Sequence, residues 1–334
     1  MRAVTIGASK AIEKIRNLYP NNYHVNVNYS ENFFEKNLIT IRDLYEIQHA
    51  DVCFIYGTWG SKNKNRVWHP QNNVRRQAWL ENINTFFTSL FKLYNKKFIV
   101  LETGTLCRIR NTFVGAHGML WKQTKPTYYR MALNHWTYGK AKFCKPTSDR
   151  LSQYCENNPE FDMSKQLNSH TWKNNLNGDI LICPGLENDP TATKPVEQFV
   201  LDTYNELKKH TDKNIIIKPH PGSKIDYLEV IGGDVEIIEK TKAYKDIADN
   251  LYCAVLDNST SIFELTFLGI PCFTSSANFG YKLGNNDLSK VNNIHYNTSE
   301  QMKEWYNEMA YTEFSEHEYM TSNIKKYIEE LINE

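Results

Sequence analysis

One stretch constrains the fold of this chain more than any other. From Lys213 to Ser276 it reads KNIIIKPHPGSK, a helix-length gap, then LYCAVLDNSTSIFELTFLGIPCFTS. Asn214–Ile217 is a short apolar run rich in β-branched residues and reads as a buried strand. Lys218-Pro219-His220-Pro221-Gly222 stops it and fixes a loop at its carboxyl end. Cys253–Leu256 is a second such run. It empties into Asp257-Asn258-Ser259-Thr260-Ser261, after which Ile262, Phe263, Leu265 and Phe267 mark a helix. Gly269-Ile270-Pro271 ends that helix, and Pro271–Thr274 begins a third strand. Strand, helix and strand in this order imply a parallel sheet with right-handed crossovers.

The residues at the strand ends suit phosphate. Ser259, Thr260 and Ser261 stand where a helix begins, so backbone N–H groups, hydroxyls and the positive end of the helix dipole converge there. Glu264 follows one turn later, in reach of ribose hydroxyls. Lys218 and His220 come from the neighbouring strand end and add positive charge. Taken singly, the serines read as a helix cap and His220 as a turn residue. Together, at the carboxyl ends of two parallel strands, they point to a ligand, because open α/β sheets bind at that edge. Asp179–Cys183 is a further strand, and its loop Pro184-Gly185-Leu186 lies on the same edge.

The His220-Pro221 pair, the Ser259-Thr260-Ser261 run with Glu264, and the closing Leu268-Gly269-Ile270-Pro271 resemble the C-terminal half of GT-B glycosyltransferases. Bacterial polysialyltransferases, Kdo transferases and CDP-glycerol transferases are the nearest in look. The similarity covers about 65 residues well and residues 178–285 loosely. It implies two Rossmann-like α/β domains facing across a cleft, with C-terminal helices returning to the first. It also implies a UDP- or CMP-linked sugar donor held by Gly185, Lys218, His220, Pro221, Ser259, Thr260, Ser261 and Glu264, with no metal required. The chain departs from the polysialyltransferases in lacking their acidic pair plus glycine, so the base must be sought elsewhere. No Asp-x-Asp sequence is present.

The chain's 334 residues carry a net charge of only +1, yet residues 61–150 hold seventeen Lys and Arg against three acids, a net of +14, which leaves −13 for the rest. A block this basic points to a polyanionic partner, or else to a face that pairs with the acidic half. Arg75, Arg76, Arg108, Arg110, Lys122 and Arg130 are the candidate acceptor-binding cations. Residues 108–150 read as irregular, with cations interleaved among aromatics as on a nucleic-acid surface. Glu102 is one of the three acids. It sits at the end of the strand Phe98–Leu101, beside Gly104, and is the candidate general base, together with His220 in the catalytic set; a structural pair with Arg108 or Arg110 is the competing reading. His117 is a second candidate base.

The rest of the chain frames this unit. Ala3–Ile6 reads as a strand running into Gly7 and a helix through Ile12, Ile15 and Leu18. Asp51–Tyr56 is a strand, Ser61–Arg76 a long polar loop, Arg76–Lys96 a helix and Pro159–Asn177 a linker. Val196, Phe199, Val200, Tyr204 and Leu207 mark a helix begun by Pro195. Gln301–Met309 and Glu318–Ile332 read as two terminal helices. The expected organisation is a basic acceptor-binding domain over 1–165, a donor-binding domain over 178–310 and a C-terminal helix over 311–334. Seven cysteines without CxxC spacing read as buried thiols. With no membrane span and no signal-peptide pattern, they point to the cytoplasm, the host's if the gene is a phage's.

The expected activity is sugar transfer from a nucleotide sugar to a hydroxyl. The basic block favours DNA as partner, by analogy with bacteriophage DNA glycosyltransferases that modify 5-hydroxymethylated pyrimidines such as hydroxymethylcytosine. The alternatives are a capsule- or teichoic-type transferase acting on a glycan or polyol phosphate, a non-catalytic nucleotide- or nucleic-acid-binding module, and a hydrolysing nucleotide-sugar epimerase.

Overall fold

Apolar runs of three to six residues set the strands, and their alternation decides which helices cover each face. The computed structural model of the chain describes residues 1–7, 9–27, 39–56, 83–104, 106, 128–134, 150–156, 170–187, 189, 192–233 and 235–333. The first unit comprises β1 (Ala3–Ile6), α1 (Lys10–Leu18), β2 (Tyr23–Val25), α2 (Ile41–Gln48), β3 (Val52–Tyr56), α3 (Ile83–Leu93), β4 (Lys97–Thr103), β5 (Tyr128–Leu133) and α4 (Arg150–Glu156). Odd and even residues of β3 and β4 go to opposite faces, as a strand's period of two requires. Phe54, Ile99 and Leu101 pack with Ile12 and Ile15 of α1, while Cys53, Ile55, Phe98 and Val100 pack with Phe87 and Phe91 of α3.

The second unit comprises β6 (Asp179–Cys183), α5 (Val196–His210), β7 (Ile215–Ile217), α6 (Tyr227–Ile231), β8 (Glu236–Ile237), β9 (Leu251–Leu256), α7 (Ser261–Phe267), β10 (Cys272–Thr274) and α8 (Ser299–Ala310). Its five strands are all parallel, in the order β10-β9-β6-β7-β8. Counted along the unit this is 5-4-1-2-3, so the order reverses between β6 and β9. One face packs on α5 through Val196, Phe199, Val200 and Leu207. The other packs on α7 and α8, where the Trp305 ring stacks on Phe263 with centroids 5.1 Å apart.

After α8 the chain returns. β11 (Glu313–Ser315) pairs antiparallel with β5, and the first sheet runs β11-β5-β4-β3-β1-β2. α9 (Ser322–Asn333) then lays Ile324, Ile328 and Leu331 into the first unit's core beside Ile12 and Phe54. Two Rossmann-like units with a C-terminal segment closing on the first are the GT-B organisation that the sequence resemblance implies.

Two segments differ from the sequence reading. Tyr128–Leu133, expected to be irregular, is a strand with every residue buried. The terminal helix starts at Ser322 and not at Glu318. Glu318 folds back to accept from the Ser315 N–H at 2.7 Å and the Ser315 hydroxyl at 2.9 Å, and it pairs with Arg150 at 2.6 Å, which holds residues 315–321 in a turn. The five described cysteines are free and buried. Among the described residues no helix is long and apolar enough to cross a membrane. The loop 61–76, and residues 76–82 of the helix expected over Arg76–Lys96, lie outside the described residues.

If the returning segment belongs to the first core, Ile328→Ala should cost about 2–5 kcal/mol, the range for emptying a buried aliphatic site. Urea denaturation checks this; a loss below about 1 kcal/mol would show that α9 does not belong to that core.

Candidate functional site

The loops after β6 and β9 meet where the strand order reverses, the position at which open α/β sheets form a crevice, and the loop after β7 lies on the other side of the β6 loop. The β6 and β9 loops approach so closely that a Cβ on Gly185 would lie 2.6 Å from Asn258 Oδ1. Only glycine fits there without moving the neighbour. The β6 and β7 loops are tied by Glu187, whose Oε1 accepts from the Ser223 hydroxyl at 2.8 Å and the Lys224 N–H at 2.6 Å.

The β9 loop is built on Asp257, which is 2% exposed. Its carboxylate accepts from the Thr193 N–H at 2.8 Å, the Thr193 hydroxyl at 2.6 Å and the Ser275 hydroxyl at 2.6 Å. Fully buried Asn278 donates to the carbonyls of Asp257 at 2.8 Å and Ser259 at 3.0 Å. So fixed, the loop brings its hydroxyls together: Ser259 Oγ donates to Ser261 Oγ at 3.1 Å and accepts from the Ser261 N–H at 3.3 Å. Tyr244 OH lies 2.8 Å from Ser261 Oγ. Ser259 therefore does act on the start of α7, as the capping reading has it, while Thr260, the N-cap residue, makes no side-chain cap bond. Helix α7 has only seven residues, so its dipole is short, and the donors at its start are chiefly hydroxyl and backbone groups.

The β7 loop supplies the other side. His220 Nδ1 accepts from the Gly222 N–H at 3.0 Å, which leaves the proton of a neutral ring on Nε2, as a donor. Pro221 follows in the same turn. Lys218 is 5% exposed; its Nζ donates to the Lys240 carbonyl at 3.0 Å and lies 4.7 Å from the centre of the Tyr244 ring. Burial pulls the Lys218 pKa below its ordinary value, against the opposing pull of Glu264. Burial also pushes the Cys183 thiol up to about 12 and the Tyr244 phenol well above its usual range. Both are neutral donors at physiological pH, and neither is a nucleophile.

The structure thus brings Gly185, Lys218, His220, Pro221, Ser259, Thr260, Ser261 and Glu264 to one edge. Sequence reasoning missed Tyr244, Asn278 and the bracing role of Asp257. Asp257 and Asn278 carry the local signal of short polar residues opening a turn. Tyr244 carries none, because its contact depends on how the β8–β9 connection folds.

Glu102 and Arg130 need correction. Glu102 lies inside β4, directly opposite Arg130 on β5, and the two form an ion pair. The Arg130 side chain is 8% exposed, and its guanidinium stands 5.0 Å from the centre of the Phe279 ring in the second unit. It is not a surface cation for an acceptor. Glu102 is held by the Arg130 guanidinium; Arg108 and Arg110, the partners of the competing reading, lie outside the described residues. Glu313 faces Arg130 from β11, buried, and accepts from the Leu106 N–H at 3.0 Å. Arg75, Arg76, Arg108, Arg110, Lys122 and His117 lie outside the described residues. Among the described residues no three His, Cys, Asp or Glu gather as a metal site.

No protein-family model matches the chain, and no curated protein matches it. Among solved structures, KpsC of Thermosulfurimonas dismutans, a beta Kdo 2,7 transferase, superposes with a TM-score of 0.48 at 13% identity, over 98% of this chain and 99% of that one. The beta Kdo 2,4 transferase KpsC of the same organism gives 0.47 at 11% identity, over 99% and 98%. The UDP-GlcNAc 2-epimerase of Methanocaldococcus jannaschii, in complex with UDP-GlcNAc and UDP, gives 0.30 at 16% identity, over 93% of each chain. At these TM-scores the likenesses carry no inference about fold or activity.

The close approach of the two loops has a direct test. Gly185→Ala should destabilise the protein by about 1–3 kcal/mol through overpacking, and Asn258→Gly in the same chain should recover most of that loss. Chemical denaturation of the single and double variants checks it; additive losses would show that the two loops do not touch.

Proposed function

We propose that this chain is a glycosyltransferase that moves a sugar from a nucleotide-activated donor, UDP- or CMP-linked, to a hydroxyl acceptor. The observation that carries the reading is that the Ser259–Ser261 and Lys218–His220 loops follow the two strands flanking β6, at one carboxyl edge, bridged by Tyr244, whose hydroxyl lies 2.8 Å from Ser261 Oγ and whose ring centre lies 4.7 Å from Lys218 Nζ. The hydroxyls of Ser259 and Ser261 and the Nε2 proton of His220 are donors for phosphate oxygens. Lys218 is buried against the Tyr244 ring, and an arriving anion would favour its charged form. Glu264, in the first turn of α7, is the proposed acceptor for ribose hydroxyls.

In the proposed reaction a base removes the proton of the acceptor hydroxyl, and its oxygen bonds to the anomeric carbon. The bond from that carbon to the donor phosphate breaks, and its electron pair leaves with the nucleotide. Donors already aimed at the phosphate stabilise the charge that develops there, so the protein's own groups take the role a divalent ion would otherwise fill. No base is assigned.

The acceptor is proposed to be polyanionic, on the strength of the +14 block over residues 61–150. A 5-hydroxymethyl pyrimidine in DNA is one reading, and a glycan or polyol phosphate is the other. Of the described cations in that block, Arg130 pairs with Glu102, Arg150 with Glu318, and Lys97 donates to the Ile332 carbonyl. These three serve the fold, which reduces the charge left for a partner and puts the two acceptors on an equal footing.

A thermal-shift screen of UDP-, CMP-, GDP- and CDP-linked sugars should find one that stabilises the protein. His220→Ala or Ser261→Ala should then weaken that donor about tenfold to a hundredfold, the loss expected for a hydrogen bond to a charged group. Stabilisation by none of the four would overturn the reading. A salt-sensitive gel shift with duplex DNA separates the acceptors: no shift at low salt removes DNA. Glu102→Gln should cost on the order of 3 kcal/mol of stability with turnover per folded molecule unchanged. A fully stable variant without turnover would return Glu102 to the role of base.

A further inference from the structure

The connection between β8 and β9 reaches both loops of the candidate donor site. Its Lys240 carbonyl accepts from Lys218 Nζ at 3.0 Å. Tyr244, at the start of a single 3-10 turn, packs on the apolar cluster under α7 and α8 and brings its hydroxyl to 2.8 Å from Ser261 Oγ. The other face of this contact is set by Cys183 at the end of β6, which hydrogen-bonds the phenol, and by Glu264, whose charge acts on it. We propose that Tyr244 is a positioning residue for the donor's phosphate: it donates to Ser261 Oγ and so leaves the Ser261 proton for a phosphate oxygen. The proposal rests on the transferase reading and names the residue that sets the direction of a hydroxyl at its donor site.

A count of protons shows what is at stake. A serine hydroxyl carries one proton and two lone pairs. Ser259 Oγ donates to Ser261 Oγ at 3.1 Å, which fills one lone pair. One proton lies between Tyr244 and Ser261. If it is Tyr244's, the second lone pair is filled too, and the Ser261 proton points out of the cluster toward an arriving ligand. If it is Ser261's, Tyr244 donates to Cys183 instead. Ser261 then offers only a lone pair, which repels an anion.

The chemistry of the neighbours selects the first arrangement. A phenol is a stronger donor and a poorer acceptor than an aliphatic hydroxyl, because its oxygen lone pair is drawn into the ring. Sulfur is a weak acceptor, so the phenol's stronger bond is the one to Ser261. Burial pushes the Cys183 thiol up to about 12, so the sulfur keeps a proton of its own to give to the phenol oxygen. An anion beyond Ser261 favours the same order, since each donor in such a chain polarises the next. The ring itself is held by the Lys218 ammonium, 4.7 Å from its centre.

Isothermal titration of the full chain with UDP, CMP, GDP and CDP tests the proposal. Tyr244→Phe keeps a ring against Lys218 and removes the hydroxyl. It should weaken whichever nucleotide binds the wild-type chain about threefold to tenfold, the range for one hydrogen bond. In a Ser261→Ala chain the same change should cost less than about twofold, because the hydroxyl that it orients is gone. A tyrosine that only supports the fold would cost the same in both chains. Chemical denaturation checks folding, and Tyr244→Met, read through the same pair of chains, replaces the phenylalanine if that variant unfolds. The proposal fails if Tyr244→Phe binds the nucleotide as tightly as the wild type, or if its loss persists undiminished in the Ser261→Ala chain. It also fails if Tyr244→Phe binds more tightly, which would show that Tyr244 takes the Ser261 proton. Failure of the wild-type chain to bind any of the four overturns the transferase reading as well, whereas the other failures leave that reading in place.

Discussion

The candidate site depends on two parallel strands whose following loops touch, glycine on one side and the Asn258 side chain on the other. β6 and β9 are neighbours, but the chain leaves them toward opposite sides of the sheet, which places a crevice at this point of the edge. Gly185 lets the β6 loop approach Asn258. Asp257, anchored by three hydrogen bonds, fixes the β9 loop from below. On that base the hydroxyls of Ser259 and Ser261 come within 3.1 Å of each other. Precision in such a site comes from buried partners that hold the polar groups, and here they are Asp257, Asn278 and Tyr244.

The same logic joins the two units. Glu102, Arg130 and Glu313 stand in one row across β4, β5 and β11, brought together by strand register. Arg130 also covers Phe279, which belongs to the second unit. A shared apolar cluster adds Leu106 and Tyr128 to Phe263, Trp305 and Met309. The returning segment thus completes the first sheet and carries the joint between the units. Removing one member of a buried ionic row leaves another charge without its partner, which costs more than the row itself contributes. Glu102, expected as a base, and Arg130, expected as an acceptor-binding cation, are paired with each other in this row.

Much of this was legible from the residues. Apolar runs such as Cys253–Leu256, bounded by Pro, Gly and short polar residues, marked strands of the second unit, and the donor-edge residues followed from which loops come after which strands. Tyr128–Leu133 was not legible. Arg130 interrupts its apolar pattern, and its pairing needs Glu313, almost two hundred residues away. Glu313–Ser315 is too short to register as a strand on its own. A count of charges cannot distinguish Arg130, buried against Glu102, from a cation in solvent. Tyr244 sits in a polar connection whose path only the folded chain defines.

The central claim is that a phosphate belongs between the Ser259–Ser261 hydroxyls and the His220 ring. A crystal structure with a bound pyrimidine nucleotide, UDP or CMP, tests it most directly. The account expects a phosphate oxygen within hydrogen-bond distance of Ser259 Oγ or Ser261 Oγ, and another facing His220 Nε2. A nucleotide whose phosphate lies against other residues, with His220 turned from the serine loop, would contradict it.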